Sequence, residues 1–536
     1  QTAREVDGTV RMVSQGYLDI PSLVYWPEMP DEDLDVYSDI VESGEDKPLT
    51  NHALGLWKEA INDTIAQNEA IINATDLDEL VPRIYEMAGE DVTVHSFTDT
   101  TDCQDFVVSE DGTARGVTSI MTLDLAESNL SFEANHVMSN WATIYASANM
   151  LVIAEMANDW WWFWDEETDS YEEATNLHAF DILQPGETSY IGSGRVNGTI
   201  LDQFSLSEYN GFLRVATTTG QWGRWWISAE EQSGPENHVF VLEQVIHAAG
   251  STEQSTELNV VGHVGGIAVG ERIWSSRFVG DRGYLVTFRN IDPLWTLDLS
   301  DPANPQVIGE LEVPGVSTYI HPLDENHLLT IGIGGDENGL DWGSTQLSLF
   351  DVSDFANPVL ASKLELSPVP EDEMYGWNWA WSEATYEHKA FQYWNGQLAI
   401  PLSTSRYTLD ESGYGHYEYV SKLVLVDVST TDGLSIYDSA SIDHSMFYEM
   451  DEWYWDRPDI RRTVFIDDYV YAISQHGVTV HQLDTMELSA SADLPFNTPS
   501  DMNIFEGEPR EENEEDPDRD EDGSNDETTT SSGGSA

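Results

Sequence analysis

Short segments in which apolar and polar residues alternate recur along most of the chain, and this period of two predicts half-buried β-strands. One recurring feature is a strand that ends in an apolar–acidic–apolar step. It is plainest in two similar stretches, LDLSDPANP at residues 297–305 and FDVSDFANP at residues 350–358. The step recurs with less identity at residues 123–125, 180–182, 242–244, 426–428 and 483–484. A short acidic side chain accepts hydrogen bonds from backbone N–H groups just ahead of it, so each step predicts a turn.

A second feature alternates with the first: a polar turn pair that leads into an apolar strand. Such turns contain Asp7, Asn149, Asn210, Asp281, Asp324, Asn395 and Asp467. Asn-Gly and Asp-Gly between strands are strong hairpin signals. Seven hairpins interleave with seven acid-terminated strands that lie 53 to 76 residues apart, which predicts seven units of four strands. A radial array of four-stranded blades is a β-propeller, an all-β fold.

Other folds fit this repeat less well, because a β-sandwich does not repeat a four-strand unit and a doubly wound fold needs helices between its strands. Residues 51–87 have a helical period instead. Their apolar residues form two stripes, Trp57, Ile61, Ile65 and Ile72, then Leu77, Leu80, Val81 and Ile84. We therefore expect a propeller over residues 1–500, with a helical insertion in the first blade at about residues 50–88. Residues 501–536 are acidic and then rich in Ser, Thr and Gly, which predicts a disordered tail.

Several stretches in the second half of the chain resemble a known family. They are RFVGD at residues 277–281, DLSDP at 298–302, YIHPL at 319–323 and SEATYEHKAF at 382–391. These stretches are similar to the secreted β-propeller family of bacteria and archaea that is distantly related to WD repeats. The resemblance is best over residues 274–430, and it implies an extracellular or cell-surface propeller without pointing to an activity. Because members of that family typically extend further upstream, a count of seven blades has eight as its alternative.

The charge balance changes the picture of the surface. The chain has 98 acidic and 22 basic residues, a formal net charge of −76. Binding to a nucleic-acid backbone needs a basic face, so this composition excludes a nucleic-acid partner. Cations must screen such self-repulsion, so we expect a halophilic protein, with solubility alone as the plainer interpretation. No run of 18 apolar residues occurs, so the sequence predicts no transmembrane segment.

Tryptophans cluster between the predicted strands, outside the alternating core pattern. The clusters are Trp160, Trp161, Trp162 and Trp164; Trp222, Trp225 and Trp226; Trp377, Trp379 and Trp381; and Trp453 and Trp455. Tryptophan offers a large contact area and one polar N–H group, so exposed clusters predict binding of an extracellular protein or polysaccharide. The alternative is that these side chains fold back and cap the blades.

The acidic tail contains a candidate calcium site. Oxygen ligands at every second position can converge on one ion, and Gly523 stands where a calcium loop bends. The candidate ligands are Asp518, Asp520, Asp522 and Asp526. Thr529 occupies the position of the bidentate acid in an EF-hand, so a solvated acidic tail is the alternative interpretation.

Two histidines are candidates for the central channel, where propellers often bind ligands. They are His321, which precedes a turn, and His388, which precedes an inner strand. A structural histidine is the alternative for both. The sequence contains no HExxH, CxxC or Gly-x-Ser-x-Gly motif, and we assign no catalytic residue.

Two hypotheses for function follow. The first is a secreted or cell-surface binding or scaffold protein without catalytic activity, which works through its aromatic loops and calcium. The second is an extracellular hydrolase or lyase with its site at the mouth of the propeller channel. The fold class hosts both activities, so the enzyme question stays open with binding favoured.

Overall fold

The computed structural model describes residues 2–18, 20, 22–27, 51–89, 91–98, 106–109, 114–126, 132–157, 173–220, 234–246, 256–288, 292–336, 339–366, 378–409, 415–447 and 459–495. The strands of the first blade are β1 (Thr2–Val6), β2 (Thr9–Tyr17), β6 (Gly116–Asp124) and β7 (Phe132–Ser139). Between β2 and β6 lie α1 (Asn51–Ala74), α2 (Leu77–Leu80), β3 (Arg83–Ala88), β4 (Asp91–Ser96) and β5 (Phe106–Val108). The hairpin of β3 and β4 is a separate sheet, whereas β5 pairs in parallel with β7.

Blades two to four each use four consecutive strands. Blade two has β8 (Ala142–Ala146), β9 (Met150–Ala157), β10 (Ala174–Asp181) and β11 (Ser189–Asn197). Blade three has β12 (Leu206–Tyr209), β13 (Phe212–Thr219), β14 (Glu236–Val245) and β15 (Glu257–Ile267). Blade four has β16 (Arg272–Val279), β17 (Arg282–Phe288), β18 (Asp292–Asp298) and β19 (Gln306–Val313). Blades two and three join into one eight-stranded sheet where β11 pairs with β15.

Blades five to seven continue the series. Blade five has β20 (Val316–Pro322), β21 (His327–Asp336), β22 (Gly339–Asp351) and β23 (Val359–Leu366). Blade six has β24 (Asn378–Trp381), β25 (Gln392–Trp394), β26 (Gln397–Leu409), β27 (Gly415–Ser429) and β28 (Gly433–Asp443). Blade seven has β29 (Ile460–Ile466), β30 (Tyr469–Ser474), β31 (Gly477–Gln482) and β32 (Leu488–Asp493). The described chain therefore forms a β-propeller of seven blades, as the repeat predicts.

The two repeated sequence features meet in space within each blade. The polar turns connect the first strand to the second, and the acidic steps fall at or next to the C-terminal end of the third. In blade four the backbone N–H of Leu299 donates to the carbonyl of Asp281 at 2.8 Å. Equivalent bonds join Leu125 to Gly8, Ile182 to Asn149, Val352 to Asn326, Val428 to Gly396 and Leu483 to Asp468. In six of the seven blades the alternation read from the sequence thus reflects one hydrogen bond that closes the same end of the blade.

The acidic side chains turn the chain as expected. The Asp298 carboxylate accepts from the backbone N–H of Ser300 at 2.9 Å, and Asp351 accepts from Ser353 at the same distance. Hydrogen bonds from the side chain and backbone of Ser300 lower the pKa of Asp298, because they stabilise the ionised form.

Apolar side chains form a core between each pair of consecutive blades. Between blades five and six, for example, Leu329 and Leu347 pack with Leu398 and Ile400, all of them fully buried. Five further clusters lie between blades one and two, two and three, three and four, four and five, and six and seven. Among the described residues no such cluster joins blade seven to blade one, and every residue of β32 is exposed. The described core is therefore a series of interfaces between consecutive blades, and blade seven packs on blade six.

The insertion differs in part from the expectation. The helix does form, but the second apolar stripe does not continue as helix to Ile84, which lies in β3. Pro82 explains the difference, because a proline lacks an N–H and pushes the preceding residue out of the helical region. Val81 is accordingly extended, with φ −77° and ψ 141°. The hairpin contacts blade one through His95, whose ring lies edge-on to Phe132 at 4.8 Å.

Within the described ranges, no helix is long and apolar enough to cross a membrane. The predicted tail, residues 501–536, lies outside the described residues.

Candidate functional site: a central cavity and a tryptophan platform

A cavity of about 490 Å³ lies where the inner strands converge. Its lining comes from the first strands of blades one to five (β1, β8, β12, β16 and β20), from neighbouring residues and from the inner edge of blade six. Each propeller blade places its first strand next to the central axis, so residues far apart in sequence meet here.

Three short 3₁₀ turns lie near this region, and two of them carry side chains into it. In blade six the inner strand is broken between β24 and β25, and the gap holds the turns Glu383–Thr385 and His388–Ala390. In blade three the turn Gln203–Ser205 precedes β12, and the Asp202 carboxylate caps it by accepting from the Phe204 N–H at 2.8 Å.

Phe204 is the centre of a cluster in the cavity wall. The Arg277 guanidinium lies 4.8 Å above its ring, and the ring centres of Tyr319 and His388 lie 5.3 and 5.0 Å away. The Gln203 amide nitrogen is 3.3 Å from Nδ1 of His388. Four blades thus contribute to a single aromatic and cationic wall, two of them through 3₁₀ turns.

Burial keeps the two candidate histidines neutral near neutral pH. It lowers the pKa of His388, and the Glu387 carboxylate, 3.5 Å away, only partly offsets this effect. For His321, burial and the positive charge of Arg277 together lower the pKa to about 4. Burial also raises the pKa of the Tyr319 hydroxyl, which therefore stays protonated.

A second feature is a group of three tryptophans, one from each of three successive blades. We define the tryptophan platform as Trp274 of blade four, Trp342 of blade five and Trp379 of blade six. The centroids of Trp274 and Trp342 are 6.5 Å apart, and the Trp379 indole N–H donates to the Trp342 carbonyl at 2.8 Å. Arg272 lies 4.8 Å over the ring of Trp274. The side chains of Trp342 and Trp379 are 62% and 56% exposed, although they are large and apolar.

The repeat and the blades agree with the family that the chain matches. Residues 1–486 match the family described as "Beta propeller domain". The chain belongs to that family. An uncharacterized protein of Methanocaldococcus jannaschii is 35% identical over 244 residues, which are 45% of this propeller chain and 32% of the relative. An uncharacterized protein of Archaeoglobus fulgidus is 31% identical over 333 residues, 62% of this chain and 41% of the relative. The chain spans less than half the length of either curated relative.

Two solved structures resemble the propeller at 10% sequence identity. One is the beta-propeller domain of Nup133 from Vanderwaltozyma polyspora, with a TM-score of 0.28, covering 70% of this chain and 89% of that chain. The other is a mutant of the apocarotenoid oxygenase from Synechocystis, with a TM-score of 0.28, covering 47% of this chain and 56% of that chain.

The structure separates the two histidines predicted for the channel. His388 lines the cavity of the propeller. His321 packs instead against Phe391 and Tyr393, with ring centres 5.4 and 5.5 Å away, which is the structural role given as its alternative. The Tyr319 ring lies between them, 6.4 Å from His321 and 6.3 Å from His388.

Of the predicted tryptophan clusters, the structure describes two residues, and they differ. Trp379 is exposed in the platform, whereas Trp381 is half-buried and stacks on Tyr386 at 6.3 Å. The remaining candidates lie outside the described residues, namely Trp160, Trp161, Trp162, Trp164, Trp222, Trp225, Trp226, Trp377, Trp453 and Trp455. So do the candidate calcium ligands Asp518, Asp520, Asp522 and Asp526. In the part of the chain that is described, no group of three His, Cys, Asp or Glu side chains could hold a metal ion.

One group of Ser, His and Glu side chains in blade two looks like a catalytic triad, but similar histidine–hydroxyl pairs occur in other blades. In blade two His178 lies 2.6 Å from the Ser193 hydroxyl and 3.6 Å from the Glu155 carboxylate. His178 and Glu155 are 1% and 2% exposed. Similar pairs are His136 with Ser119, His238 with Thr219, and His444 with Thr479. Because histidine–hydroxyl pairs recur in several blades, they indicate structural hydrogen bonding rather than nucleophile activation.

Sequence reasoning missed most residues of the cavity wall. Asp202, Gln203 and Phe204 precede a first strand, the position in each blade from which a channel is lined. The turn pairs mark the end of each first strand, so counting back from Asn210 could have suggested this segment. Tyr319 and Arg277 were inside stretches used for the resemblance, where their side chains suggested no chemistry.

Proposed function

We propose that this propeller is a secreted or cell-surface binding protein, without catalytic activity, that holds a neutral polysaccharide on the tryptophan platform. The observation that carries the proposal is the exposure of the Trp342 and Trp379 rings. Most large aromatic side chains of a soluble protein are substantially buried, so adjacent exposed ones mark a contact surface.

The platform suits flat, ring-shaped ligands. The Trp379 N–H is already used by the Trp342 carbonyl, so stacking on the ring faces is the main interaction that remains. Rigid aromatic side chains lose little conformational entropy on binding, which favours them as contact groups. A neutral sugar chain avoids the repulsion that a net charge of −76 imposes on an acidic polymer.

The cavity supports binding over hydrolysis. Most glycoside hydrolases use two carboxylic acids on either side of the scissile bond. The described lining of the cavity contains no Asp or Glu, and of the two histidines only His388 reaches it. The alternative of a hydrolase or lyase at the channel mouth therefore rests on His388, without a carboxylic acid in the described lining.

The test is a titration of the protein with neutral gluco-, manno- and galacto-oligosaccharides, followed by calorimetry. We expect Trp342→Ala and Trp379→Ala each to weaken binding at least tenfold, about 1.4 kcal/mol. The matched control is Trp394→Ala, because Trp394 is also a largely exposed tryptophan of blade six, at 59%. It lies at a different point along β26, since it pairs with Gln397 whereas Trp379 pairs with Ser405. Equal losses in all three variants, or no binding by any of the sugars, would contradict the proposal.

Two finer parts of the hypothesis remain predictions. The extracellular location rests on the resemblance and on the acidic composition, which suits a salt-rich medium. Calcium dependence rests on the acidic tail, and an extracellular protein is the other partner that the aromatic loops predict.

A further inference from the structure

The charge of the central cavity is opposite to that of the protein. The chain has 98 acidic and 22 basic residues, yet the described lining of the cavity contains Arg4, Arg11 and Arg277 and no acidic residue. This reversal is local, and it is independent of the tryptophan platform.

The guanidinium of Arg11 has a structural role. Its guanidinium donates to the hydroxyl of Thr188 and to the carbonyls of Ile182, Gln184 and Glu187 at 2.8 to 3.2 Å. These bonds hold the loop of blade two against blade one and occupy the donors at Nε and Nη2.

Arg277 and Arg4 are different. Arg277 stacks on Phe204, and neither arginine forms an ion pair or a side-chain hydrogen bond with any of the described residues. An arginine keeps its charge in proteins and presents five N–H donors in a planar fork. Two arginines in one cavity that form no ion pair with a carboxylate of the described residues leave donors for a ligand.

Two acidic side chains outside the lining have other contacts. Asp202 caps the turn before Phe204, and its charge also acts on Arg277. Glu387 accepts from the Lys389 N–H at 3.1 Å and lies 3.7 Å from Arg462. The positive charge at the cavity is thus only partly compensated from behind the wall.

Much of the rest of the wall is apolar or aromatic, and Thr2, Ser147, Gln203, Ser207 and His388 add polar groups. Phe204, Phe278, Tyr319 and Leu151 line the same space as the two arginines. Cavities of several hundred Å³ with such walls and a few polar groups are the usual sites for small organic ligands.

We propose that the central cavity binds a small organic oxyanion, a carboxylate or phosphate on an apolar body, with the oxyanion held by Arg277 and Arg4. The apolar body lies against Phe204 and Tyr319. Arginine pairs with carboxylate or phosphate through two parallel hydrogen bonds, which fits the fixed position of Arg277 over the Phe204 ring.

The test compares probes that differ in charge. N-acetylphenylalanine, N-acetylphenylalaninamide and inorganic phosphate are titrated into the full chain at 1 M NaCl, where exposed charges are screened within about 3 Å. We expect the carboxylate to bind and the amide to bind at least tenfold more weakly. Phosphate binding without carboxylate binding would identify a bare oxyanion and overturn the need for an apolar body.

Variants locate the site. Arg277→Met should reduce carboxylate binding to the level of the amide, and so should Arg4→Met, which changes an exposed side chain on β1. The matched control is Arg282→Met, because Arg282 lies 4.9 Å over the Phe355 ring, the same contact outside the cavity. Ala3→Trp, which fills the cavity from an exposed position, should abolish binding.

The outcomes are distinct. Equal binding of amide and carboxylate, an unchanged affinity in both Arg277→Met and Arg4→Met, or no binding of any probe would overturn the oxyanion site. Melting curves of each variant show whether it is folded. Sugar binding by the platform is unaffected by these results, so this inference and the proposed function can fail separately.

Discussion

Glu383 is the side chain whose replacement should weaken the propeller most clearly. It lies in the broken inner strand of blade six and is 7% exposed. Its carboxylate accepts from Arg461 Nε at 3.0 Å and Nη2 at 2.9 Å, and from Arg462 Nη1 at 2.8 Å. Both arginines belong to β29, so this carboxylate joins blade six to blade seven.

The substitution Glu383→Gln keeps the volume and removes the charge. Breaking a buried ion pair by removing one partner costs about 3–5 kcal/mol. Here the two arginines are 47% and 33% exposed and can regain water, which reduces the loss. The three hydrogen bonds lose the negative charge of their acceptor or break, and we expect the free energy of unfolding to fall by about 2–3 kcal/mol.

The effect should depend on pH in a defined way. Burial opposes ionisation of Glu383, but the hydrogen bonds and charges of Arg461 and Arg462 outweigh it and lower the pKa. A group with a lowered folded pKa stabilises the protein above its unfolded value of about 4.3, and this contribution is lost as the pH falls further. The difference between wild type and Glu383→Gln should therefore be constant near neutral pH and shrink below about pH 4.

Urea denaturation is the assay, because urea is uncharged and leaves the ionic strength constant. The matched control is Glu365→Gln, since Glu365 pairs with Lys363 at 2.7 Å but is 49% exposed. An exposed pair contributes about 0–1 kcal/mol. Amide exchange in β29 reports whether the loss is local. If Glu383→Gln unfolds with the same free energy as Glu365→Gln, the reasoning about the seam between blades six and seven is wrong.

Three further predictions concern turns, histidine and calcium. Gly396→Ala should destabilise the protein by about 1–2 kcal/mol, because φ is +86° at this position. Gly55→Ala, in the exposed helix α1, should stabilise it by about 0.5–1 kcal/mol. The midpoints of urea denaturation of the two variants and the wild type measure both effects. Burial lowers the pKa of His444 to about 4. As the pH falls from about 6.5 towards 4, the unfolded state binds a proton at this histidine before the folded state does, so the free energy of unfolding decreases. Measurements of unfolding against pH should show a smaller decrease for His444→Gln. Calcium at fixed ionic strength should raise the melting midpoint where magnesium does not, and deletion of residues 501–536 should remove the rise.

The blade repeat could be predicted because its signals are local. A positive φ at Asn395 and Gly396 needs residues that tolerate it, and the sequence shows them directly. The same holds for Asp298, whose carboxylate bonds two residues ahead. The helix ended earlier than its apolar period indicated, and Pro82 was the local sign that should have ended it.

The cavity could not be predicted in the same way, because it depends on distances between blades. Arg277 and Phe204 are 73 positions apart in the chain and meet only when the blades close around the axis. A break in the inner strand of blade six places His388 in the wall, whereas His321, on an unbroken strand, turns to Phe391. Two histidines that the sequence treated alike therefore have different environments.

The net charge of the chain and the charge of its cavity act over different distances. The surface field extends over about one Debye length, which shrinks from about 10 Å at 0.1 M salt to about 3 Å at 1 M. Salt therefore removes the repulsion that an anion meets on approach, whereas contacts with the partly buried Arg277 are screened much less. An acidic protein in a salt-rich medium can thus select an anion at Arg277 while it remains soluble through its surface. Because salt weakens the surface field more than the contacts in the cavity, an acidic surface and a cationic cavity are compatible in one molecule.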